Sequence, residues 1–293
     1  MNKSFVGKAL TMAAVAAISF VGTAAFAAPT AVESFTSFTT MAGAAPAASP
    51  STVAGTTITH EDFGGGATTT ATGFAVDPAG YNGNGMTFEG LENTGLLYSA
   101  AWPGFSSGAI TAAYAVKYTS VAGANQRVQA LSFFNTTGIA AGAPFLLLRV
   151  GTGATAGANG LIVTGPTAAG FTYGSTAPSA AATPGASFNT VVVQYTPATG
   201  AATTDAIINI WINDVNPANP ATVSVPTGLG SFEAGNDTFD SLGFGALVFN
   251  SVTSPTVTQD ELGVWQGNTA TELADAMAFI AASASVADWS KMD

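Results

Sequence analysis

The side chains of this chain that could do chemistry are few, and most of them are carboxylates beside one another. Glu61 and Asp62 follow the single histidine, His60, and Asp260 precedes Glu261 near the end of the chain. Glycoside hydrolysis needs two carboxyl groups across one bond. Neighbouring side chains of a strand point to opposite faces, so neither pair can act within its own strand, and only Glu61 and Glu261 on separate strands could meet. Solvated strand ends are the favoured interpretation.

The sequence also lacks the residue patterns of a nucleophilic active site and of a transition-metal site. His60 is the one available imidazole, cysteine is absent, and Gly104–Gly108 has the letters of a nucleophile elbow at the wrong spacing. One histidine without a thiolate does not make a zinc site. We therefore predict a chain with no catalytic residues.

Calcium is the ion that the remaining oxygen ligands would suit. Asp237 and Asp240 lie in Gly-Asn-Asp-Thr-Phe-Asp, in a predicted loop before a strand. Carboxylate and carbonyl oxygens are the ligands that calcium prefers. The alternative is an ordinary Asx turn without a metal.

A sugar-binding face is the other candidate site. If Ile208, Ile210 and Ile212 point into a core, then Trp211 and its amide neighbours point outward. An indole can stack on the apolar face of a sugar while amides and carboxylates bond its hydroxyls. The residues predicted to bind a glycan are Trp211, Asn209, Asn213, Trp265, Glu261, Tyr98 and Trp102. The alternative is that the C-terminal helix or the linker covers the two strand tryptophans as a second small core.

The elements that must position these residues are predicted to be strands. Val191, Val193 and Tyr195 alternate with polar or outward residues, and Ile208 to Ile212 do the same after a turn-rich loop. This two-residue period predicts a long antiparallel hairpin. Further strands recur with turn signals about every 8 to 15 residues. The fold class is therefore all-β, a two-sheet antiparallel jelly-roll sandwich with one C-terminal helix.

Four segments are predicted along the chain. Residues 1–27 have the basic start, apolar run and Ala-x-Ala site of a signal peptide. Residues 28–55 are an Ala/Pro/Ser/Thr-rich leader or linker. Residues 56–267 form the sandwich, and residues 268–293 form the helix, with a capping sequence at its start. We therefore expect a secreted protein, at the cell surface or free, that does not span a membrane.

The charge balance excludes one class of partner. The chain has a net charge of −11, with six basic residues against seventeen acidic ones. Without a basic stripe it cannot release counterions from a polyanion, so nucleic-acid binding is excluded. Charged residues make up only 8% of the chain, which leaves a surface of neutral, hydroxyl-rich residues.

Three segments resemble a known family. Ile208-Asn-Ile-Trp-Ile-Asn-Asp, Phe239-Asp-Ser-Leu-Gly-Phe and Gln259-Asp-Glu-Leu-Gly-Val-Trp are similar to the closing strands of bacterial LamG-like domains of the concanavalin A-like lectin/glucanase superfamily. The match would cover about residues 56–267, although Gly263 and Trp265 depart from the usual final strand. The resemblance implies a jelly roll and a calcium ion at its rim. It implies no single function, because this sandwich serves lectins, adhesion modules, hydrolases and structural domains.

The function expected from these observations is a secreted, non-catalytic module that binds carbohydrate or another extracellular surface with the help of calcium. One alternative is a self-associating structural protein of a cell envelope or matrix, in which low charge favours close packing of copies. A second alternative is a divergent glycoside hydrolase.

Overall fold

The computed structural model describes residues 29, 31–33, 48–50, 57–62, 74–77, 80–81, 85–89, 96–101, 109–134, 146–166, 173–196, 207–226, 241–244, 248–249 and 255–289. The strands of its first half are β1 Ala31–Glu33, β2 Ala48–Pro50, β3 Thr57–Asp62, β4 Phe74–Asp77, β5 Gly85–Glu89, β6 Leu96–Ala101, β7 Ile110–Tyr118, β8 Arg127–Phe134 and β9 Leu146–Thr152. The second half holds β10 Asn159–Pro166, β11 Tyr173–Ser175, β12 Asn189–Thr196, β13 Ile207–Ile212, β14 Val223–Pro226, β15 Ser241–Phe244, β16 Val248–Phe249, β17 Thr256–Gln266 and helix α1 Ala270–Trp289. The predicted signal peptide lies outside the described residues.

The strands form two antiparallel sheets. The first sheet has the order β14-β13-β12-β7-β17-β5-β4, with β1 also paired to β17. The second sheet has the order β11-β10-β9-β8-β15-β6-β3-β2, with β16 also paired to β8. The side-chain amide of Gln259 on β17 donates to the carbonyl oxygen of Ala130 on β8, which links the two sheets through the core. The predicted all-β sandwich is confirmed.

The hairpin predicted from the two-residue period is the β12–β13 pair. Val191 lies opposite Ile212, Val193 opposite Ile210, and Tyr195 opposite Ile208. All six side chains are buried, because this face of the first sheet packs toward the second sheet. We call it the inner face, and the opposite side of the first sheet the outer face.

The segment predicted as a leader or linker contributes two short strands. Residues 31–33 pair with residues 262–264 of β17, and residues 48–50 pair with residues 57–59 of β3. One strand therefore joins each sheet. Within the described residues no helix has the length and hydropathy needed to cross a bilayer.

Helix α1 follows β17 after a three-residue connection. Gly267 has a φ of +121°, which a residue with a side chain rarely adopts, and this lets the chain turn back over the sheet. Thr269 caps the helix: its Oγ1 accepts a hydrogen bond from the Thr271 N–H at 3.2 Å, and its own N–H donates to the Glu272 carboxylate at 2.8 Å. These reciprocal bonds are the capping box that the sequence predicts at the start of this helix.

Two further hydrogen bonds fix the start of the helix to the first sheet. The side-chain amide of Gln194 donates to the Thr269 carbonyl oxygen at 3.2 Å, and the Thr111 hydroxyl donates to the Gly267 carbonyl oxygen at 2.8 Å. These bonds help to set the direction in which the helix leaves the sheet.

We predict that Thr269→Ala lowers the free energy of unfolding by about 1 kcal/mol, because the substitution removes the N-cap oxygen. Urea denaturation measures the change. Thr271→Ala is the matched control, since this exposed neighbour keeps the cap intact. Equal losses in the two variants would contradict a capping role for Thr269.

Candidate functional site

The outer face of the first sheet carries a second small core. Trp211 and Trp265 project from β13 and β17 and are only 5% and 3% exposed, because α1 lies over them. The buried members of this outer-face cluster are Ala113, Ala115, Val192, Trp211, Trp265, Leu273, Ala276, Met277 and Ile280. Burying each large apolar side chain contributes about 1.5–3 kcal/mol, so the cluster holds the helix firmly.

Small residues in the sheet let the helix approach closely. Ala113 and Ala115 lie beneath it, and Gly263 is paired with Ala113 on the same face. A Cβ at Gly263 would lie 3.0 Å from the Phe279 ring and 2.9 Å from the Trp265 ring. Those two rings pack edge to face, with 5.5 Å between their centroids.

The sequence-based parity is therefore correct, but the exposed platform it suggested is not formed. Trp211 does lie on the face opposite Ile210, yet the face is covered by α1, which is the alternative left open above. Asn209 keeps partial exposure beside the cluster. With the helix docked, neither strand indole is accessible to a sugar ring.

A β-bulge changes the expected orientation of the acidic pair. The pairing of β17 with β7 shifts by one residue between Asp260 and Gly263, and Glu261 has a φ of +51°. Asp260 lies opposite Ala115 of the outer-face cluster, and Glu261 contacts Ser283 of α1. The expectation that these two carboxylates point to opposite faces is wrong, because the inserted residue resets the alternation.

Both carboxylates are engaged inside the protein. Glu261 is 5% exposed and accepts a hydrogen bond from the Ser283 hydroxyl at 3.2 Å. Asp260 has no exposed surface and accepts a bond from the Glu261 N–H at 2.8 Å. Glu61 lies on β3 of the second sheet, whereas Glu261 faces away from that sheet toward the helix. The fold does not bring the Glu61–Glu261 pair together.

Tyr81 packs against the outer-face cluster and forms a hydrogen bond with the helix. Its hydroxyl donates to the Ile280 carbonyl oxygen at 3.0 Å, and its ring packs edge to face against Phe188. The Lys117 ammonium lies 4.8 Å from the centroid of the Phe188 ring. Burial, with a smaller contribution from the nearby Glu261 carboxylate, raises the pKa of Tyr81 to about 12.

An exposed polar loop lies at the edge of the first sheet, between β13 and β14. We call residues 213–222 the rim loop. The Asn219 carbonyl oxygen accepts a hydrogen bond from the indole N–H of Trp211 at 2.9 Å, and the Thr222 hydroxyl accepts one from the Ile212 N–H at 3.1 Å. The loop is thus fixed to the strand that carries the buried indole.

Three side chains of the rim loop bond one another. The Asp214 carboxylate accepts hydrogen bonds from the Asn216 N–H and from the Asn219 amide group, both at 2.9 Å. The Asn216 amide group donates to Asn219 Oδ1 at 3.3 Å. The bonds from the Asn216 backbone and the Asn219 side chain hold the pKa of Asp214 below its usual value. The carboxylate therefore stays ionised under mildly acidic conditions.

Asn213, predicted as a sugar ligand, uses its side-chain amide for hydrogen bonds within the protein. It has a φ of +55°, and its amide group donates to the Ala181 carbonyl oxygen at 2.8 Å and to Asn189 Oδ1 at 3.0 Å. Its own Oδ1 accepts a bond from the Thr190 N–H at 3.0 Å. Both amide hydrogens are used within the protein, although the residue is exposed.

The remaining predicted site residues are placed only in part. Tyr98 lies in β6 opposite His60, but its side chain is outside the described part of the chain. Trp102, Asp237 and Asp240 are also outside it, so their roles in sugar and calcium binding stay predictions. Among the residues that the structure describes, no three His, Cys, Asp or Glu side chains form a group that could hold a metal ion.

Sequence reasoning missed Asp214, Asn216 and Asn219. Their signal is the run Asn213-Asp-Val-Asn-Pro-Ala-Asn-Pro, in which short polar side chains alternate with prolines. Such a run favours side-chain bonds to nearby backbone groups over a strand.

Comparison with known proteins gives a likeness of fold. No protein-family model and no curated protein sequence matches the chain. The receptor-binding domain of botulinum neurotoxin mosaic serotype C/D is similar with a TM-score of 0.50 and 8% identity, over 86% of this chain and 50% of that one.

Two other neurotoxin domains are similar at TM-scores of 0.45. The type G receptor-binding domain has 10% identity over 75% of this chain and 46% of its own. The type DC binding domain in complex with SialylT has 5% identity over 76% and 47%. The chain spans about half the length of the solved structures it resembles. At these identities the likeness concerns the β-sandwich alone, and membership in the LamG-like family stays a prediction.

We predict that Trp211 and Trp265 are shielded from quenchers in a Trp102→Phe/Trp289→Phe background. Ala276→Glu places a charge in the outer-face cluster and should lower the free energy of unfolding by about 3–5 kcal/mol while raising acrylamide quenching of both indoles. Fluorescence quenching and urea denaturation measure these effects. Ala282→Glu, at an exposed position of the same helix, is the control. Strong quenching in the background protein would contradict the docked helix.

We predict that the free energy of unfolding falls as the pH rises from 10 toward 12, in part through Tyr81. The unfolded chain loses the phenolic proton near pH 10, whereas the folded chain keeps it until about pH 12. Burial also raises the pKa of Tyr114 and Tyr118, so Tyr81→Phe should make the fall shallower without abolishing it. Urea denaturation at several alkaline pH values tests this. Identical slopes for both proteins would refute the contribution of Tyr81.

Proposed function

We propose that the protein is a secreted, non-catalytic β-sandwich module that binds carbohydrate at an extracellular surface. The observation that carries the proposal is the chemistry of its surface. Most of the exposed side chains that the structure describes are uncharged, and the rim loop adds exposed amides. Neutral hydroxyl and amide groups can exchange hydrogen bonds with sugar hydroxyls.

The position of the acidic residues supports a role without catalysis. Asp260 and Glu261 are buried beneath α1 and are engaged in internal hydrogen bonds. A general acid or nucleophile must reach the scissile bond of its substrate. With the helix docked, these two carboxylates are closed to a polysaccharide.

One solved domain of similar fold has a recognition role. The neurotoxin mosaic serotype C/D domain is a receptor-binding domain. That role enters here as a hypothesis about a shared use of one sandwich, because fold by itself does not determine function. The signal peptide predicted for residues 1–27 would deliver the module outside the cell.

Calcium is proposed as an accessory ion. Asp237 and Asp240 would supply the carboxylate oxygens, together with backbone carbonyl groups. An ion at such a loop would order the loop for sugar contact. The chelation arm of the experiment below tests this part separately.

A glycan array probed with the full mature chain should show binding to a restricted set of glycans. Chelation with EDTA should weaken the binding if calcium orders the site. Laminarin and agarose should not be cleaved, and Glu261→Gln should leave binding unchanged. Turnover that Glu261→Gln abolishes would instead establish a glycoside hydrolase.

The scarcity of charge also favours the structural alternative. Charged residues make up 8% of the chain, and most of the exposed side chains that the structure describes are uncharged, so little like-charge repulsion would separate packed copies at those positions. Ordered arrays seen by electron microscopy at high concentration, together with an empty glycan array, would favour a self-assembling envelope or matrix protein over the binding module.

A further inference from the structure

Three polar side chains of the rim loop keep hydrogen-bonding capacity beyond their internal bonds. Asn216 and Asn219 are exposed, and each has one side-chain N–H in a hydrogen bond and one left over. Each Asp214 carboxylate oxygen accepts one bond and has room for another. The loop therefore presents donors and acceptors side by side, already oriented by its internal bonds.

The backbone of the loop is restrained in advance. Pro217 and Pro220 fix two backbone dihedrals, and the Asn219 N–H donates to the Asn216 carbonyl oxygen at 3.0 Å. The indole N–H of Trp211 ties the loop to β13 from below. A restrained loop loses little conformational entropy on binding, which favours affinity for small ligands.

The same loop carries an exposed apolar side chain. Val215 is 46% exposed, and among the described residues it is the one large apolar side chain that is exposed. It stands between Asp214 and Asn216 in the chain. A sugar presents hydroxyl groups on its rim and C–H groups on its faces, so a small apolar side chain flanked by an amide and a carboxylate matches both features.

The negative charge of the rim loop favours uncharged sugars over anionic ones. Residues 213–222 contain no Lys, Arg or His, and Asp214 is their single charged residue. The protein as a whole has a net charge of −11. A glycan with a carboxylate or sulfate group would be repelled by Asp214 and would find no cation to pair with in the loop.

We infer that the rim loop is a sugar-binding site that takes uncharged glycans with neighbouring hydroxyl groups and rejects sialylated or sulfated ones. This inference rests on the proposed carbohydrate-binding function and assigns it a location and a selectivity. Asp214 and Asn219 bind one hydroxyl, Asn216 binds the next, and Val215 packs against the sugar face.

The test uses the full mature chain and a panel of neutral glycans with their sialylated counterparts. Asn216→Ala should weaken binding of the neutral glycans at least about tenfold. Asp214→Asn should also weaken it and should narrow the discrimination against sialylated glycans. Thr155→Ala, at an exposed position between β9 and β10, is the matched control and should bind as the unaltered chain does.

A second substitution separates binding from folding. Val215→Glu adds a negative charge at an exposed side chain, so the thermal midpoint should stay within a few degrees while neutral glycan binding is lost. Unchanged affinity in Asn216→Ala and Val215→Glu, with the unaltered chain still binding glycans, would overturn the location but leave the proposed function intact. Preference of the unaltered chain for sialylated glycans would overturn the selectivity. Binding of no glycan at all would overturn both the site and the function.

Discussion

The docking of α1 on the outer face of the first sheet is the constraint on which the rest of the structure depends. Two indoles must be covered, and the sheet supplies alanines and a glycine where the helix comes closest. The turn at Gly267 and the hydrogen bonds around Thr269 help to set the direction of the helix over the sheet. Covering this part of the face removes it from contact with solvent.

The same docking accounts for the burial of Asp260 and Glu261 beneath the helix. A buried carboxylate is costly unless hydrogen bonds satisfy it. The bulge in β17 directs Glu261 to a serine of the helix, and the Asp260 carboxylate accepts the N–H that follows it. The acids are thus part of the helix interface, where they give the contact a specific geometry that apolar side chains alone do not provide.

Sequence periodicity was sufficient to predict the sandwich and to assign the side chains of β13 to its two faces. Alternation of Ile208, Ile210 and Ile212 with Trp211 determined both the hairpin and the outward indole, because strand geometry leaves no other arrangement. It could not show that α1 rather than solvent covers the indole, since docking depends on a turn and on small residues in distant strands. It also failed for the Asp260–Glu261 pair, where a bulge with a left-handed backbone at Glu261 ends simple alternation. Local patterns carry no information about such positions until the partner strand is known.

An interior strand of the first sheet is also the last strand among the residues that the structure describes. β17 lies between β7 on one side and β5 and β1 on the other, and 137 positions separate Thr119 from its partner Thr256. During synthesis β7 and β5 therefore cannot pair with β17 until residues 256–266 have been made. Long-range pairing of this kind slows folding. The topology therefore delays completion of the first sheet until its last strand has been synthesised.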